Sequence, residues 1–353
     1  MVDFWKNKKV LVTGDTGFKG SWLTCLLLNQ KSKVHGISLK PDSTNILYNS
    51  LVTDTDFKKF FDENLYTHEN IDIRQKDELK ESILDFNPEF IFHLAAQPLV
   101  RESYVNPKST WDTNVMGTIN LLEILRLMKK CSVIIVTTDK VYENHTWPYS
   151  YRENDELGGY DPYSSSKASV ELAVKSWRKS FFKDNIKIST VRAGNVIGGG
   201  DWSADRIVPD TIKALINKTS LKLRYPDAVR PWQHVLDPLL GYLKLAEKQI
   251  NVQKSFEYNF GPNSMDVVSV QKLVNMISSY WGEELTIEKL EHQSVESTYL
   301  TLSIEKALKE LNWYPRWDLK KTIFYTVKWY QNVHNGNSPY KCILENIRSF
   351  NSR

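Results

Sequence analysis

The sequence predicts an α/β protein in which a doubly wound parallel sheet is joined to a smaller C-terminal domain. Short apolar strands alternate with helical patterns through the first half of the chain, the order expected for a parallel sheet with helices on both faces. A chain of 353 residues is long for one domain and favours a large domain with a smaller one. We expect residues 1–192, with a returning segment near 232–261, to form the sheet domain. Residues 193–231 and 262–353 would then form the second domain.

The composition excludes several classes of protein. The 46 basic and 42 acidic residues give a net charge of +4 without a basic run of five or more, so no nucleic-acid partner is expected. Cys25, Cys131 and Cys342 lie far apart and form no Cys-x-x-Cys motif, which argues against a disulfide framework and against a bound metal. No apolar run approaches the ~20 residues that span a bilayer. The sequence therefore predicts a soluble cytoplasmic protein with no membrane segment.

The first predicted strand leads directly into a glycine-rich loop. Residues 8–13 form the strand, and glycines spaced Gly-x-x-Gly-x-x-Gly separate it from an apolar helix. Such glycines permit a tight turn, and a helix N-terminus offers free amides and a positive dipole end to a pyrophosphate. A turn needed only for helix–strand packing is the alternative, but the position between strand and helix favours a dinucleotide site of the Rossmann type. The candidate residues are Gly14, Thr16, Gly17, Phe18 and Gly20.

The ends of the next two strands would contact the adenosine of such a cofactor. An acidic residue after the second strand would select NAD, and a basic one NADP. Ser38 can bond a ribose hydroxyl, while Lys40 can meet a 2′-phosphate or face water, so these residues leave the choice open. Asp72 and Ile73, in the third predicted strand end at residues 70–74, are placed to frame the adenine. A solvated turn is an equal alternative for Asp72.

The fourth predicted strand carries small residues at its carboxyl end. Ala95 and Ala96 would let a flat cofactor approach the backbone, and ligands of parallel sheets bind at this edge. Gln97 and Arg101 follow in a loop at the same edge and are candidates for contact with cofactor or substrate. His93 lies within the apolar run, so we expect a hydrogen-bonded core histidine rather than a ligand.

The main candidate for an active site begins after the fifth predicted strand. Thr138, Asp139 and Lys140 place a hydroxyl, a carboxylate and an amine at the end of a β-branched run that predicts a rigid, buried support. Tyr163 and Lys167 are four residues apart and share one helix face, where the ammonium would favour the phenolate. Tyr163 is therefore a candidate base near neutral pH. Tyr-x-x-x-Lys also occurs by chance, and Thr-Asp after a strand is ordinary turn chemistry.

The chain changes character after a sixth predicted strand at residues 186–192. Residues 193–202 are rich in glycine, and spaced cations follow, namely Arg206, Lys222, Arg224, Arg230 and His234. Guanidinium groups spread through loops suit a diphosphate better than a nucleic-acid groove, with ordinary surface charge as the alternative for each. The remaining expected elements are a last strand and turn at 257–262, an amphipathic helix at 267–281 and a final helix after a break at 311–317.

Taken together, these motifs resemble the extended short-chain dehydrogenases/reductases. The resemblance rests on GDTGFKG at 14–20, HLAAQ at 93–97, YSSSK at 163–167 and LNWYP at 311–315, and it covers essentially the whole chain. Within that family, TDKVY at 138–142 resembles the nucleotide-sugar 4,6-dehydratases. Further stretches of the chain resemble the CDP-glucose branch of these dehydratases. They are GFKGSW at 17–22, HLAAQPLVRESY at 93–104, ENDELGGYDPYSSSK at 153–167, RAGNVIGGGDW at 192–202 and RPWQHVLDPL at 230–239.

The resemblance implies a mechanism in which tightly held NAD is an internal hydride shuttle. CDP-glucose would become CDP-4-keto-6-deoxyglucose plus water, a step towards the deoxysugars of surface polysaccharides such as lipopolysaccharide. Tyr163, supported by Lys167 and Thr138, would take the O4 proton, while Asp139 would be the acid and Lys140 the base of the elimination. Lys140 must be neutral to act, which requires desolvation or a nearby cation such as Lys167. Because a glutamate fills that place in dTDP-glucose enzymes, Lys140 favours the CDP branch.

The resemblance also implies binding roles by position. Lys167 would bond the nicotinamide ribose, and Asn114 is a further cofactor candidate. The substrate candidates are Gln97, Arg101, Asn195, Arg206, Arg224 and Arg230, of which Asn195, Arg206 and Arg230 would hold the diphosphate. One residue departs from the family pattern, because Asp15 stands in the glycine loop where a histidine is expected. A carboxylate that faced the pyrophosphate would oppose cofactor binding.

Three other functions share parts of this pattern. A nucleotide-sugar 4-epimerase needs the glycine loop, Tyr163 and Lys167 but no acid and base for elimination, so Asp139 and Lys140 favour a dehydratase. A catalytically silent dinucleotide-binding protein predicts a broken tyrosine–lysine pair, whereas both residues are present. A dehydratase of another nucleotide hexose stays open, because base specificity depends on loop backbone contacts. Relatives pair through the helix after Asp112 and the helix of Tyr163, which implies a homodimer or a tetramer.

Overall fold

The computed structural model describes residues 4–182, 185–251, 256–263, 266–289 and 300–352. Its strands are β1 (Lys9–Thr13), β2 (Lys33–Ser38), β3 (Tyr66–Asn70), β4 (Phe90–His93), β5 (Cys131–Val136), β6 (Ile186–Ala193), β7 (Asn195–Ile197), β8 (Leu221–Leu223), β9 (Val229–His234), β10 (Glu257–Phe260), β11 (Val267–Ser269) and β12 (Ile287–Lys289). Its helices are α1 (Phe18–Asn29), α2 (Ile46–Thr53), α3 (Thr55–Asp62), α4 (Lys76–Phe86), α5 (Val100–Val105), α6 (Pro107–Trp111), α7 (Gly117–Leu125), α8 (Pro162–Ser180), α9 (Ile207–Asn217), α10 (Leu236–Asn251), α11 (Val270–Trp281), α12 (Glu305–Leu311), α13 (Leu319–His334) and α14 (Pro339–Asn351). A π-helical turn, Asp112–Met116, joins α6 to α7, and a 3₁₀ turn, Asp139–Val141, follows β5.

Seven parallel strands form the main sheet, in the order β10-β6-β5-β4-β1-β2-β3. The order reverses between β1 and β4, where the crossover connections change sides. The fully buried strands β4 and β5 are covered by helices on both faces, as their continuous apolar runs require. The predicted doubly wound parallel fold is therefore confirmed.

The glycine loop is wedged against the end of a neighbouring strand. Gly14 has a φ of +75°, and a Cβ on it would lie 2.7 Å from the backbone nitrogen of Ala95. A Cβ on Gly20 would lie 2.0 Å from the carbonyl oxygen of Gly14. Both positions therefore require glycine, because any side chain would push the loop off the carboxyl ends of β1 and β4.

Two small sheets lie outside the main one. β11, β9 and β7 form a three-stranded sheet, and β12 pairs with β8. β11 corrects the prediction of a helix from residue 267, because these three residues pair with β9 before α11 begins at Val270. The predicted final helix is two helices, α13 and α14. The third predicted strand end also shifts, since β3 ends at Asn70 and residues 71–74 form the turn after it.

Buried polar contacts of ring side chains fix α1 and β4 within the core. The indole nitrogen of Trp22 in α1 donates a 2.9 Å hydrogen bond to the carbonyl oxygen of Gly199.

His93 is a core histidine as predicted, because its ring nitrogens lie 2.7 Å from Thr13 Oγ1 and 3.1 Å from Thr118 Oγ1. Burial lowers the pKa of His93 to about 3, so the ring stays neutral. None of the helices in the described part of the chain is long and apolar enough to cross a membrane.

Candidate active site

The segment after β5 brings three of the predicted catalytic residues to the carboxyl edge of the sheet. Thr138 is in extended conformation and caps the 3₁₀ turn through its Oγ1, which accepts a hydrogen bond from the amide of Lys140. The same hydroxyl donates a 3.0 Å hydrogen bond to Oδ1 of Asp139. Thr138 and Asp139 are buried, while Lys140 is half-buried. The turn thus holds the carboxyl group inside and leaves the amine at the surface of the site.

The turn between β6 and β7 at Gly194 lies against the carboxyl group of Asp139. A Cβ on Gly194 would lie 3.1 Å from Oδ2 of Asp139, so the missing side chain makes room for this oxygen. Burial raises the pKa of Asp139, and the charges of Lys140, Arg230 and Lys19 together with the Thr138 hydrogen bond oppose the rise. A raised pKa favours the protonated form that a general acid needs.

The helix α8 carries Tyr163 and Lys167 on its buried face. Asp161 caps its N-terminus by accepting a 2.9 Å hydrogen bond from the amide of Ser164, and Pro162 occupies the first turn. The Nζ of Lys167 donates a 3.2 Å hydrogen bond to the carbonyl oxygen of Val136 at the end of β5. Burial lowers the pKa of Lys167 to about 8, against the opposing charge of Glu171.

Tyr163 differs from the prediction of a base near neutral pH. Burial raises the pKa of its phenol to about 12, while a hydrogen bond with Thr138 and the charge of Arg206 pull in the other direction. The prediction of a pKa near neutral is therefore wrong for the phenol in this structure, because the loss of water around it outweighs the Thr138 hydrogen bond and the charge of Arg206. The geometric part of the prediction holds, since Thr138 and Tyr163 are brought together.

The glycine loop fits a diphosphate. Gly17 caps α1 without a side chain and is exposed, and the first turn of α1 contains no acidic residue. A Cβ on Gly17 would meet only the carbonyl oxygen of Gly14, at 3.3 Å, so the outer face of the loop is open. An uncapped helix N-terminus with an open approach can offer its amides to phosphate oxygens. Beside it, the buried Thr16 donates a 3.0 Å hydrogen bond to the hydroxyl of Ser38.

Asp15 faces away from the mouth of this loop. Its side chain is fully buried, and its Oδ2 accepts a 2.6 Å hydrogen bond from the hydroxyl of Tyr66 and lies 2.8 Å from Nδ1 of His68. A Cβ on Gly36 would lie 1.9 Å from the same oxygen, so β2 provides the space for it. The repulsion that an inward-facing carboxylate would exert on a pyrophosphate is therefore not present.

The other predicted cofactor residues frame the same edge of the sheet. Asp72 forms a forked ion pair with Arg74, whose Nη2 lies 2.6 Å from Oδ2, and this hydrogen bonding lowers the pKa of Asp72. Ile73 is buried beneath Gly117. A Cβ on Gly117 would lie 2.6 Å from Cδ1 of Ile73. Asp72 thus lies half-buried in the turn after β3, paired with Arg74.

Asn114 ties the loop after β4 to α8. Its Oδ1 accepts a 2.8 Å hydrogen bond from the amide of Gln97, and its Nδ2 donates a 2.9 Å bond to the hydroxyl of Ser166. The side chain of Gln97 is itself used within the loop, donating 3.0 Å to the carbonyl oxygen of Leu99. Ala95 and Ala96 are half-buried in this loop. These contacts hold the backbone of the loop beside the glycine turn.

The predicted substrate arginines fall into two groups. Arg101 and Arg224 both contact Oδ1 of Asp205, at 2.9 and 2.7 Å. Arg206 lies 3.1 Å from Oδ2 of the buried Asp201. By contrast, Arg230 is buried and its charge acts on Asp139. Asn195 is half-buried at the start of β7, in the segment that faces the catalytic turn.

Lys19 is a site residue that the sequence analysis missed. It is half-buried in the first turn of α1, and in the described part of the chain it has neither a hydrogen bond nor an ion pair. Burial and the charges of Arg206 and Lys167 lower its pKa to about 8, and the charges of Asp139 and Asp201 oppose this. A charged residue between two glycines of the loop was the available signal.

This combination of fold and site defines a class of protein. A glycine loop at the first strand–helix turn, with a tyrosine and a lysine one helical turn apart beside the end of β5, is the arrangement of the extended short-chain dehydrogenases/reductases. Comparison with known families matches residues 11–325 to the GDP-mannose 4,6 dehydratase family. The chain belongs to this family.

Individual relatives agree with that assignment. The CDP-glucose 4,6-dehydratase of Salmonella typhimurium is 39% identical, over 100% of this chain and 99% of its own. Among solved structures, the dTDP-glucose 4,6-dehydratase DesIV of Streptomyces venezuelae, with NAD bound, superposes with a TM-score of 0.80 at 21% identity, over 94% of this chain and 99% of its own. The dTDP-glucose 4,6-dehydratase of Bacillus anthracis, in complex with NAD, gives 0.78 at 23% identity, over 94% and 99%. Both structures share the fold of this protein.

Proposed function

We propose that this protein is a CDP-glucose 4,6-dehydratase that uses NAD as an internal hydride shuttle. The observation that carries the proposal is the meeting of Thr138, Asp139 and Tyr163 at the carboxyl end of β5. A tyrosine and a lysine suffice for the oxidation and reduction of an epimerase, whereas a buried acid beside them serves the elimination of water. The 39% identity to the Salmonella CDP-glucose enzyme supports CDP-glucose as the substrate.

The residues of the glycine loop and the adjoining strand ends suit NAD. Gly14, Thr16, Gly17, Phe18 and Gly20 would hold the pyrophosphate; Ser38, Asp72 and Ile73 the adenosine; and Ala95, Ala96, Gln97, Asn114, Tyr163 and Lys167 the nicotinamide half. The side chain of Ser38 lacks a positive charge that would attract a 2′-phosphate, which supports NAD over NADP. Bound NAD would supply an acceptor for the hydrogen of sugar C4, a donor that returns it to C6, and a positive charge beside Tyr163 in its oxidised form.

In the oxidation, Tyr163 takes the proton of the sugar O4 hydroxyl as the C4 hydrogen leaves. The hydrogen bond with Thr138 stabilises the phenolate, which offsets part of the cost of its burial. Lys167 holds the helix against β5 through the carbonyl oxygen of Val136, and so keeps Tyr163 beside Thr138. The product of this half-reaction is a 4-ketone, which acidifies the hydrogen on C5.

In the elimination, Lys140 takes the C5 proton and Asp139 gives a proton to the departing C6 hydroxyl. Burial raises the pKa of Asp139, so the acid is held in the form that can donate. Lys140 is half-buried, so its amine lies at the open side of the catalytic turn. Water leaves, a C5–C6 double bond forms, and addition of a hydride at C6 and a proton at C5 gives the 4-keto-6-deoxy sugar.

The nucleotide sugar would be held by the segments 193–231 and 262–353, which we propose as the substrate-binding domain. The charge of Arg230 acts on Asp139 and the charge of Arg206 acts on Tyr163, and with Asn195 these two arginines suit the diphosphate. Arg101 and Arg224 would have to exchange Asp205 for a phosphate, which is favourable because the carboxylate is exposed. Gln97 is a further candidate for contact with the nucleotide sugar.

The proposed assembly is a homodimer, with a tetramer as the larger alternative. Large apolar side chains are exposed along the helices that precede and include the tyrosine helix, namely Tyr104, Val105, Trp111, Met116 and Leu172. Exposed large apolar side chains on neighbouring helices are typical of a subunit interface. Free, buried cysteines also support a reducing, cytoplasmic location, and the product would serve deoxysugar and lipopolysaccharide synthesis.

The proposal is tested by incubating the purified protein and NAD with CDP-, dTDP-, GDP- and UDP-glucose. The alkali-induced absorbance of a 4-keto-6-deoxy sugar should rise with CDP-glucose and fail to rise in the Tyr163→Phe and Lys140→Met variants. Formation of a C4-inverted sugar instead would make the protein an epimerase. Bound NAD without any reaction would favour a catalytically silent dinucleotide-binding protein.

A further inference from the structure

A fully buried ion pair lies beneath the catalytic turn. Oε1 of Glu171 accepts hydrogen bonds from Thr137 Oγ1, at 2.6 Å, and from Arg192 Nε, at 2.9 Å. Its Oε2 accepts from Thr190 Oγ1, at 2.6 Å, and from Arg192 Nη2, at 3.0 Å. The side chains of the pair are only 1% and 2% exposed. The carboxylate therefore joins α8, the end of β5 and the end of β6 in one fully hydrogen-bonded cluster.

Arg192 extends this cluster to the far side of the catalytic turn. Its Nη1 donates a 2.7 Å hydrogen bond to the hydroxyl of Tyr142, and its guanidinium lies over the ring of that residue, 4.9 Å from the centroid. The hydroxyl of Tyr142 in turn donates a 2.7 Å bond to Oδ1 of Asn259. Asn259 is the register partner of Arg192 on the adjoining strand β10, so both side chains meet Tyr142 from one face of the sheet.

The cluster holds the catalytic turn at both ends. Thr137 immediately precedes Thr138, and Tyr142 immediately follows the 3₁₀ turn Asp139–Val141. Glu171 lies one helical turn after Lys167, on the same buried face of α8. One ion pair is therefore bonded to the residue before the turn and to the residue after it, and it lies on the helix that carries the tyrosine and the lysine.

We propose that Glu171, Arg192 and Tyr142 are positioning residues that fix the turn of Thr138, Asp139 and Lys140 relative to Tyr163. The inference deepens the proposed function and rests on it for the identity of the reaction. Buried ion pairs that are completely hydrogen-bonded have a single arrangement, and an error of about 1 Å in the position of a catalytic group costs on the order of 100-fold in rate. None of the three residues needs to touch the substrate for this effect.

The proposed positioning role predicts different effects on the two half-reactions, oxidation and elimination. Oxidation needs Tyr163 and Thr138, which contact each other, whereas elimination also needs Asp139 and Lys140 within the turn itself. Loosening the far end of the turn at Tyr142 should therefore slow elimination more than oxidation. The expected signature is reduced nicotinamide that accumulates during a single turnover, with the KM for the nucleotide sugar within about 2-fold of the wild type.

The test uses Tyr142→Phe, which removes one hydroxyl and keeps the ring. Arg192 retains its 3.0 Å hydrogen bond to the carbonyl oxygen of Glu153, so its charge stays satisfied and the protein is expected to fold. The matched control is Tyr151→Phe. Its ring stacks on Tyr142 with centroids 5.1 Å apart, but its hydroxyl bonds the amide of His145, outside the cluster.

Tyr142→Phe is expected to lower kcat about 10- to 100-fold and to build up reduced nicotinamide, whereas Tyr151→Phe keeps kcat within about 2-fold. Amide hydrogen exchange over residues 137–142 should speed up in Tyr142→Phe alone, and this readout does not depend on turnover. Equal kcat or equal exchange in both variants would overturn the inference. A wild-type protein that dehydrates no nucleotide sugar would overturn the proposed function, and the exchange measurement would still decide whether the cluster holds the turn.

Discussion

Nζ of Lys167 donates a 3.2 Å hydrogen bond to the carbonyl oxygen of Val136, and this bond ties the helix of the candidate base to the strand that leads into the turn of the candidate acid. The tie explains how residues more than twenty positions apart in sequence keep one geometry. It also gives Lys167 a structural role in addition to any contact with a cofactor, so its substitution would change several properties together. Tyr163, Asp139 and Lys19 are better probes because each changes one property.

Replacing Tyr163 with phenylalanine should remove the base of the oxidation and leave the fold intact. A positioned acid or base contributes about 10²- to 10⁴-fold, so kcat should fall by about that factor. Cofactor binding should persist, and it is measured separately by NAD titration with intrinsic fluorescence. A variant with wild-type kcat would show that another group takes the O4 proton.

Replacing Asp139 with asparagine should stop the reaction after oxidation. The amide has a shape similar to that of the carboxyl group but cannot donate an acidic proton to the leaving hydroxyl, so reduced nicotinamide should accumulate in a single turnover. In the wild type, kcat should fall as pH rises through the raised pKa of Asp139, since burial holds that acid protonated below it. Normal release of keto sugar by the variant would exclude Asp139 as the acid.

Replacing Lys19 with methionine should move the alkaline limb of the kcat profile to higher pH. The charge of Lys19 lowers the pKa of Asp139, so its removal raises that pKa and keeps the acid protonated over a wider range. Lys19→Arg keeps a charge at this position and is the matched control. The measurement is kcat from pH 6 to pH 9.5, and a limb that stays in place or shifts to lower pH in Lys19→Met would contradict the prediction.

Replacing Arg192 with methionine should destabilise the protein by about 3–5 kcal/mol, because it leaves the carboxylate of Glu171 buried without its partner. Urea unfolding at pH 7 measures this loss. The double variant Glu171→Met with Arg192→Met should recover part of it, since no charge is then buried. A double variant less stable than Arg192→Met would contradict the explanation.

The stability of the wild type should fall as pH rises from about 4 to 7 because of Asp237. Burial raises its pKa to about 7, whereas an unfolded aspartate titrates near 3.9. Over that window the folded state keeps a proton that the unfolded state releases, so the free energy of unfolding decreases with pH. The asparagine of Asp237→Asn cannot titrate, so the free energy of unfolding of this variant should decrease by about 2–4 kcal/mol less than that of the wild type between pH 4 and pH 8. Urea unfolding at these two pH values measures the difference. Parallel curves for the two proteins would contradict the assignment.

The sequence was sufficient where the signal is local. The strands of the parallel sheet, the glycine loop and the four-residue spacing of Tyr163 and Lys167 are all determined by neighbours within one turn or one strand. Long-range pairing was not visible. Residues 267–269 read as helix because the sequence does not reveal their pairing with β9. The direction of Asp15 was open for the same reason, since Tyr66 and His68 approach it only through β3.

The energetics of the site were harder to predict than its residues. Sequence spacing placed an ammonium near a phenol, but burial, which raises the pKa of Tyr163 to about 12, depends on how tightly the tertiary structure closes around it. The pairing of Glu171 with Arg192 was also invisible, because the two residues lie on separate elements and meet only when α8 packs on β6. The role of Lys19 is likewise not visible in the sequence, because the charges of Asp139, Asp201 and Arg206 act on it only in the folded structure.

The place of β10 limits how this enzyme can be rebuilt by recombination. The chain leaves the main sheet after β6 and contributes β7, β8 and β9 to the two small sheets. It then returns to the main sheet and adds β10 beside β6. A chimaera that exchanged everything after residue 192 for the corresponding half of a relative would also exchange the strand that carries Asn259. A graft limited to residues 193–231 would leave β10, and with it Asn259, as part of the recipient sheet.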